Sequence, residues 1–146
     1  MNPPQNVLRE LPSSAEDRKA CPITTGVLDY FPLAIAEIAR ISKAGNDQHN
    51  PGQPLHWARE KSTDQADCIT RHLIQRGTID TDGARHSGKM AWRALALLQE
   101  ELEAEAGFTP AKEASNGKEV PQVQKYEWTT EEGGYLGIVK THGKQG

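Results

Sequence analysis

A small, mainly α-helical domain of three main helices with long connecting loops, completed by oligomerisation, is the fold class this sequence predicts. Three observations point to it. Apolar residues recur at helical spacing only between residues 32 and 106. Those periodic segments stop at glycines, as helices do. Finally, only 36% of the 146 residues are hydrophobic, so three helices of this size leave apolar stripe uncovered unless a second subunit packs on it.

Residues 1–20 are polar and proline-bearing without sustained periodicity and predict a mobile arm. CPITTGVLDYFP, broken by Pro22, Gly26 and Pro32, predicts an ordered extended segment on the domain surface. The domain body is read as residues 21–106.

The first main helix is predicted over 33–45, with Pro32 suited to its first turn and Gly45 to its C-terminal cap. Leu33, Ala36, Ile38 and Ile41 would bury most of it, leaving Glu37 as the exception. A loop follows in which Asn46, Asp47, Gln48, His49 and Asn50 lie together, stiffened by Pro51 and Pro54. The second helix is predicted from Ser62 to Arg76, where Ser62 and Gln65 have capping-box spacing, with Ala66, Ile69 and Leu73 as its apolar stripe. GTIDTDGARH has turn chemistry. The longest helix is predicted over 84–106, with Ala91, Leu95, Leu98 and Leu102 facing the core and His86, Lys89 and Arg93 on the opposite face. Residues 107–124 read as a linker. KYEWTTEEGGYLGIVKTHG predicts either a hairpin turning at Glu132, Gly133 and Gly134 or a flexible tail.

A net charge of −3 and a pI near 5.9 argue against nucleic acid as a primary partner. No apolar run is long enough for a bilayer, and the N-terminal stretch lacks the apolar stretch of a signal peptide, so a cytoplasmic location and no membrane partner are expected. Cys21 and Cys68 form no metal or disulfide pattern, and Cys68 reads as a small core residue. Nucleotide-binding glycine loops, GxSxG and HExxH are all absent.

Chemistry-bearing residues fall in three places. Asn46, Gln48, His49, Asn50 and Trp57, followed by Arg59 and Lys61, can bind a flat polar ligand and its charges, with Trp57 as a stacking surface. A plain helix connection with Trp57 plugging the core is the competing account. Asp64 and Asp67 share a helix face and can hold a divalent ion; Arg71 and His72 follow one turn later. Asp80, Asp82, Arg85, His86 and Lys89 cluster where the last helix begins, a place suited to phosphate. Ion pairs and a solvated helix face explain the same residues without function.

The order FPLAIAEIARISKAG, NDQHNPGQPLHWAREKS, DQADCITRHL and GTIDTDGARHSGKMAWRALALLQEELE resembles the phage and prophage domain described as dATP/dGTP diphosphohydrolase, N-terminal, over roughly residues 22–105. Gly45, Asn50, Trp57, Arg71, His72, Asp80, Asp82 and His86 carry the likeness. The resemblance implies hydrolysis of purine deoxynucleoside triphosphates to the monophosphate in a host cell's cytoplasm. All-α MazG-like pyrophosphatases perform related chemistry with Mg²⁺. Their paired ExxE and ExxD motifs are missing here, and Thr78 and Lys89 stand where some members of the nearer family carry Glu and His.

On that reading Glu37, Asp67 and Asp82, with Asp64 and Asp80 nearby, would hold Mg²⁺, with Mn²⁺ or Co²⁺ as substitutes. Arg71, Lys89 and Arg85 would neutralise phosphate charge, and His72 or His86 would serve as general base. A non-catalytic nucleotide-binding or host-protein-binding module is the alternative expectation.

Overall fold

The computed structural model describes residues 6–110 and the backbone of residues 126–129 and 137–140. It is mainly helical. The elements are α1 (Ala15–Ala20), a π-helical turn (Thr24–Leu28), α2 (Pro32–His49), a 3-10 turn (Arg59–Lys61), α3 (Gln65–Ile74) and α4 (His86–Glu105). Strands β1 (Tyr126–Thr129) and β2 (Gly137–Lys140) pair antiparallel, with Tyr126 opposite Lys140. The expected turn at Glu132, Gly133 and Gly134 and most of the expected linker lie outside the described residues.

Residues 1–20 are not all free. Asn6 Nδ2 donates to the Trp57 carbonyl at 2.9 Å, and Leu8 N–H donates to Glu103 Oε1 at 2.8 Å. Gln99 Nε2 donates to the Leu8 carbonyl at 3.3 Å, so the arm is pinned to α4. Beyond it, Ser14 caps α1 by accepting from Asp17 N–H. The segment expected to be extended winds into the π-helical turn instead, with Gly26 N–H donating to the Pro22 carbonyl.

α2 begins with Pro32 at its first turn, as predicted, but runs through Gly45 to His49. A glycine inside a helix costs about 1 kcal/mol relative to alanine. Asn46 offsets it: its buried side chain donates to the Gln53 carbonyl and accepts from His56 N–H, fastening the following loop back onto the helix. Asn46, Asp47, Gln48 and His49 are therefore helical rather than looped. α3 starts at Gln65, not Ser62; Gln65 Nε2 donates to the Ser62 carbonyl at 3.3 Å, and Asp64 stands at the cap position without a side-chain cap bond. Helix α4 ends as predicted. Gly107 takes φ 71°, Phe108 N–H donates to the Glu103 carbonyl and Gly107 N–H to the Ala104 carbonyl, which closes a Schellman motif.

α3 and α4 form an antiparallel hairpin: His72 meets His86 at one end, while Gln65 accepts from Arg93 Nη1 at 3.1 Å further along. α2 packs across the first turns of α4, where Gly88 lies against Ile41 and Glu37. The helices are turned opposite to the predicted way. On α3 Cys68 is buried as expected, but its buried companions are Gln65 and His72, while Leu73 is 45% exposed. On α4 they are His86, Ala96 and Glu103, while Leu95, Leu98 and Leu102 are each about half exposed. α2 is mostly exposed as well, Leu33 at 85%. Cys68, Ala84 and Ala96 are the buried apolar residues among those described. Small side chains let the helices approach closely, and polar pairs fill the seam, a choice that stripe-to-core reasoning inverts.

Candidate functional site

The site lies at the end of the α3–α4 hairpin. Ile79 and Arg85 face each other across a β-bridge, and Asp80 N–H donates to the Ala84 carbonyl at 2.8 Å. Gly83, at φ 81°, makes that tight reversal accessible without strain. His86 N–H donates to the Thr78 carbonyl, fixing where α4 begins. The turn thus delivers Asp80 and Asp82 beside the first turn of α4, directly below the last turn of α3.

His72 and His86 are buried and their Nδ1 atoms lie 2.9 Å apart. One donates and the other accepts, so the neutral pair shares a single Nδ1 proton. Burial, reinforced by the charges of Arg71, His86 and Lys89, holds the His72 imidazole below its usual pKa and favours that neutral form. Ligand atoms of His72, Asp80 and His86 all fall within 4.8 Å of one another. This is the sole such group of three or more among the described residues.

Lys89 closes the site from α4. Its Nζ donates to Asp80 Oδ2 and to Asp82 Oδ2, both at 2.6 Å. Asp80 also accepts from Thr81 N–H at 2.7 Å; Lys89 first and this backbone bond second bring its carboxyl down to about 2. Asp82 is lowered for the same reason, Lys89 first and then Ala84 N–H. Burial works against the Lys89 charge, but the two carboxylates outweigh it and the ammonium is held above its usual range. Glu37, on α2, forms a two-pronged pair with Arg40 that lowers its carboxyl; the charge of Arg85 also reaches it.

No family model, curated protein or solved structure matches this chain. What the site can do follows from its own chemistry.

The structure splits the predicted residues into groups. His72, Asp80, Asp82, Arg85, His86 and Lys89 converge, with Glu37 beside them and Arg71 close enough for its charge to act on His72. Asp64 and Asp67 do not join them. They line a shallow depression with Thr63, Leu97 and Glu100, and Leu97 is eleven residues beyond His86 on α4, roughly 16 Å along a helix rising 1.5 Å per residue. The expected Glu37, Asp67 and Asp82 convergence therefore fails at Asp67.

The loop residues are also reassigned. Arg59, expected to meet substrate, instead makes a two-pronged ion pair with buried Glu103 at 2.6 and 2.9 Å. Trp57, expected as a free stacking surface, sets its ring edge-to-face with Trp92 at 5.8 Å and carries the Arg59 guanidinium 3.8 Å above it. Lys61 Nζ donates to Asn50 Oδ1 at 2.7 Å, which ties the loop shut. Asn46 is the buried fastener described above. Gln48 and His49 remain exposed. What sequence reasoning missed was the buried Glu103 and the direct His72–His86 contact. The three-and-four spacing of Gln65, Cys68 and His72 and the seven-residue spacing of Ala96 and Glu103 were the available signal.

Proposed function

We propose that this chain is a metal-dependent phosphoanhydride hydrolase that converts purine deoxynucleoside triphosphates, dGTP or dATP, to the monophosphate and pyrophosphate. The carrying observation is the buried His72–His86 pair with Asp80 beside it, bordered by Lys89 and Arg85 at the start of α4. A divalent cation held there would supply an activated water and polarise a phosphoryl oxygen. Arg85, Arg40 and Arg71 are the cations in reach of phosphate charge, helped by the positive end of α4. The new bond joins water oxygen to the α-phosphorus and the α–β bridging bond breaks. With His72 and His86 as ligands, the general-base role expected of them passes to Glu37, a carboxylate outside the histidine trio that takes water's proton. Incubation with dGTP and dATP and added Mg²⁺, Mn²⁺ or Co²⁺ should release monophosphate and pyrophosphate, and Asp80→Asn should abolish it. Absence of turnover across a broad nucleotide panel with all three ions overturns the reading in favour of a non-catalytic nucleotide-binding module.

We also propose that a second copy of the chain covers the exposed stripe of α4. Leu95, Leu98 and Leu102 have the three-and-four spacing of a helix–helix seam. Pairing α4 antiparallel with itself about the point between Leu98 and Gln99 sets Leu95 opposite Leu102, a self-complementary arrangement. In that register Glu101 and Glu105 lie across from Ala96 and Trp92 rather than from other carboxylates.

A further inference from the structure

We infer that His72, Asp80 and His86 form a two-histidine, one-carboxylate site selective for a transition-metal ion such as Co²⁺ or Zn²⁺ over Mg²⁺, and that Lys89 is its built-in competing cation. The inference rests on the placing of the cation in the proposed function, but not on turnover. It departs from the all-oxygen Mg²⁺ site that the carboxylates predict in sequence.

Donor chemistry decides the ion. Mg²⁺ demands oxygen ligands in near-octahedral array and keeps several waters, whereas imidazole nitrogen suits Zn²⁺, Co²⁺ and their neighbours. Two of the three donors here are imidazoles, and both rings are at least nine-tenths buried. Three protein ligands with further positions open to water or substrate are the pattern of catalytic rather than structural transition-metal sites. The 2.9 Å Nδ1–Nδ1 approach is shorter than the roughly 3.4 Å that separates two nitrogens held about 2.1 Å from one tetrahedral ion. A few tenths of an ångström of separation admits the ion in place of the shared proton. Neutral imidazole is the ligating form.

Lys89 supplies the second half. Its ammonium lies 2.6 Å from Asp80 Oδ2, so a positive charge already occupies the carboxylate side of the site. An incoming ion must share Asp80 with it, and repulsion between two cations a few ångströms apart weakens binding. Asp82, also 2.6 Å from Lys89, is the place to which the ammonium can withdraw. Binding of the ion and retreat of Lys89 to Asp82 are therefore coupled.

The test is titration of the chelator-stripped full chain with Co²⁺ or Zn²⁺ alone, followed by calorimetry and by the visible absorption of bound Co²⁺. One ion per chain should bind, and a hundredfold excess of Mg²⁺ should not displace it. His72→Gln and His86→Gln should each weaken binding at least about tenfold, as should Asp80→Asn, which keeps the histidine pair intact should a histidine variant misfold. Lys89→Met should tighten it several-fold, a change opposite in sign to mere structural damage. Displacement by equimolar Mg²⁺, no saturable binding, or binding indifferent to all three ligand substitutions overturns the site; Lys89→Met weakening the ion overturns the competing-cation role. Tight binding without nucleotide turnover would sink the hydrolase reading and leave this one standing.

Discussion

His72 on α3 and His86 on α4 meet Nδ1 to Nδ1 at 2.9 Å, the buried polar contact that joins the two helices where the connecting turn leaves them. Removing one ring leaves the other's nitrogen buried and unpaired, which costs about 1–3 kcal/mol. Replacing both removes the unpaired group. In chelator, His72→Leu and His86→Leu should each lower unfolding free energy by about that amount. The double variant should lose less than the sum by about 1 kcal/mol or more. Urea unfolding checks it, and additive losses would show that the contact contributes nothing to stability.

The Arg59–Glu103 pair makes a stronger demand. Glu103 is 2% exposed and also accepts from Leu8 N–H and Gln99 Nε2. Burial alone would raise its carboxyl, yet Arg59, Gln99 and the Leu8 amide together lower it. Arg59→Ala strands a buried carboxylate and should cost about 3–5 kcal/mol, whereas Arg59→Met with Glu103→Leu should cost far less. Because the folded pKa lies below the usual 4.5, this stabilisation is present above pH 4.5 and is lost as pH falls through the folded value. Urea midpoints measured between pH 7 and 3 should show the wild-type advantage over the double variant shrinking below pH 4.5.

The existence and order of the three main helices were legible in the sequence because spacing, Pro32 and Gly107 act locally, whereas α1 and the π-helical turn were not. Two of the site's three parts were legible for the same reason: the Asp80–Asp82 turn and His86 at the helix start are adjacent in sequence. Which face of each helix turns inward was not. A leucine stripe at 95, 98 and 102 satisfies the rule for a core face, but nothing local records that Ala96 permits close approach, or that Glu103 meets Arg59 from 44 residues away. Asp64 and Asp67 were misplaced similarly. Their spacing fixes a shared face, while the antiparallel hairpin sets that face at the far end from His86.

Glu100 offers a case of opposite sign. Burial raises its carboxyl, with Gln65 giving only a 3.4 Å hydrogen bond in return. A raised folded pKa favours the protonated acid, so this contribution is present below the unfolded value of 4.5 and is lost as pH rises through the folded one. Glu100→Gln, which mimics the neutral acid, should therefore stabilise the protein at pH 7 by about 1 kcal/mol and by little at pH 4. Thermal melts at the two pH values decide it; equal effects would remove ionisation as the cause.

At Gly88, α4 packs tightly against α2. A β-carbon there would lie 2.5 Å from Ile41 Cδ1 and 3.4 Å from Glu37 Cγ. Alanine's helix propensity adds about 1 kcal/mol, but overpacking costs about 1–3. Gly88→Ala should thus destabilise by about 1 kcal/mol, and Ile41→Val, which removes the clashing methyl, should reverse the sign in the pair. Denaturant titration of the four proteins reads this out, and a stabilised single variant would show that α2 yields freely.

The exposed stripe of α4 gives the last expectation. Leu95, Leu98 and Leu102 stand about half exposed on one face while the helix's polar face is packed inward. Three leucines so placed gain about 25 cal/mol for each Å² of apolar surface removed from water, and a self-complementary seam supplies that burial without a foreign partner. Leu98→Glu, beside the centre of the antiparallel register, brings a carboxylate next to its own copy and desolvates both. Sedimentation should then show wild-type chain as a dimer or higher assembly and the variant as monomer, with the α3–α4 hairpin's helicity retained because Leu98 faces away from it. A wild-type chain that sediments as a monomer at high micromolar concentration would dismiss the seam.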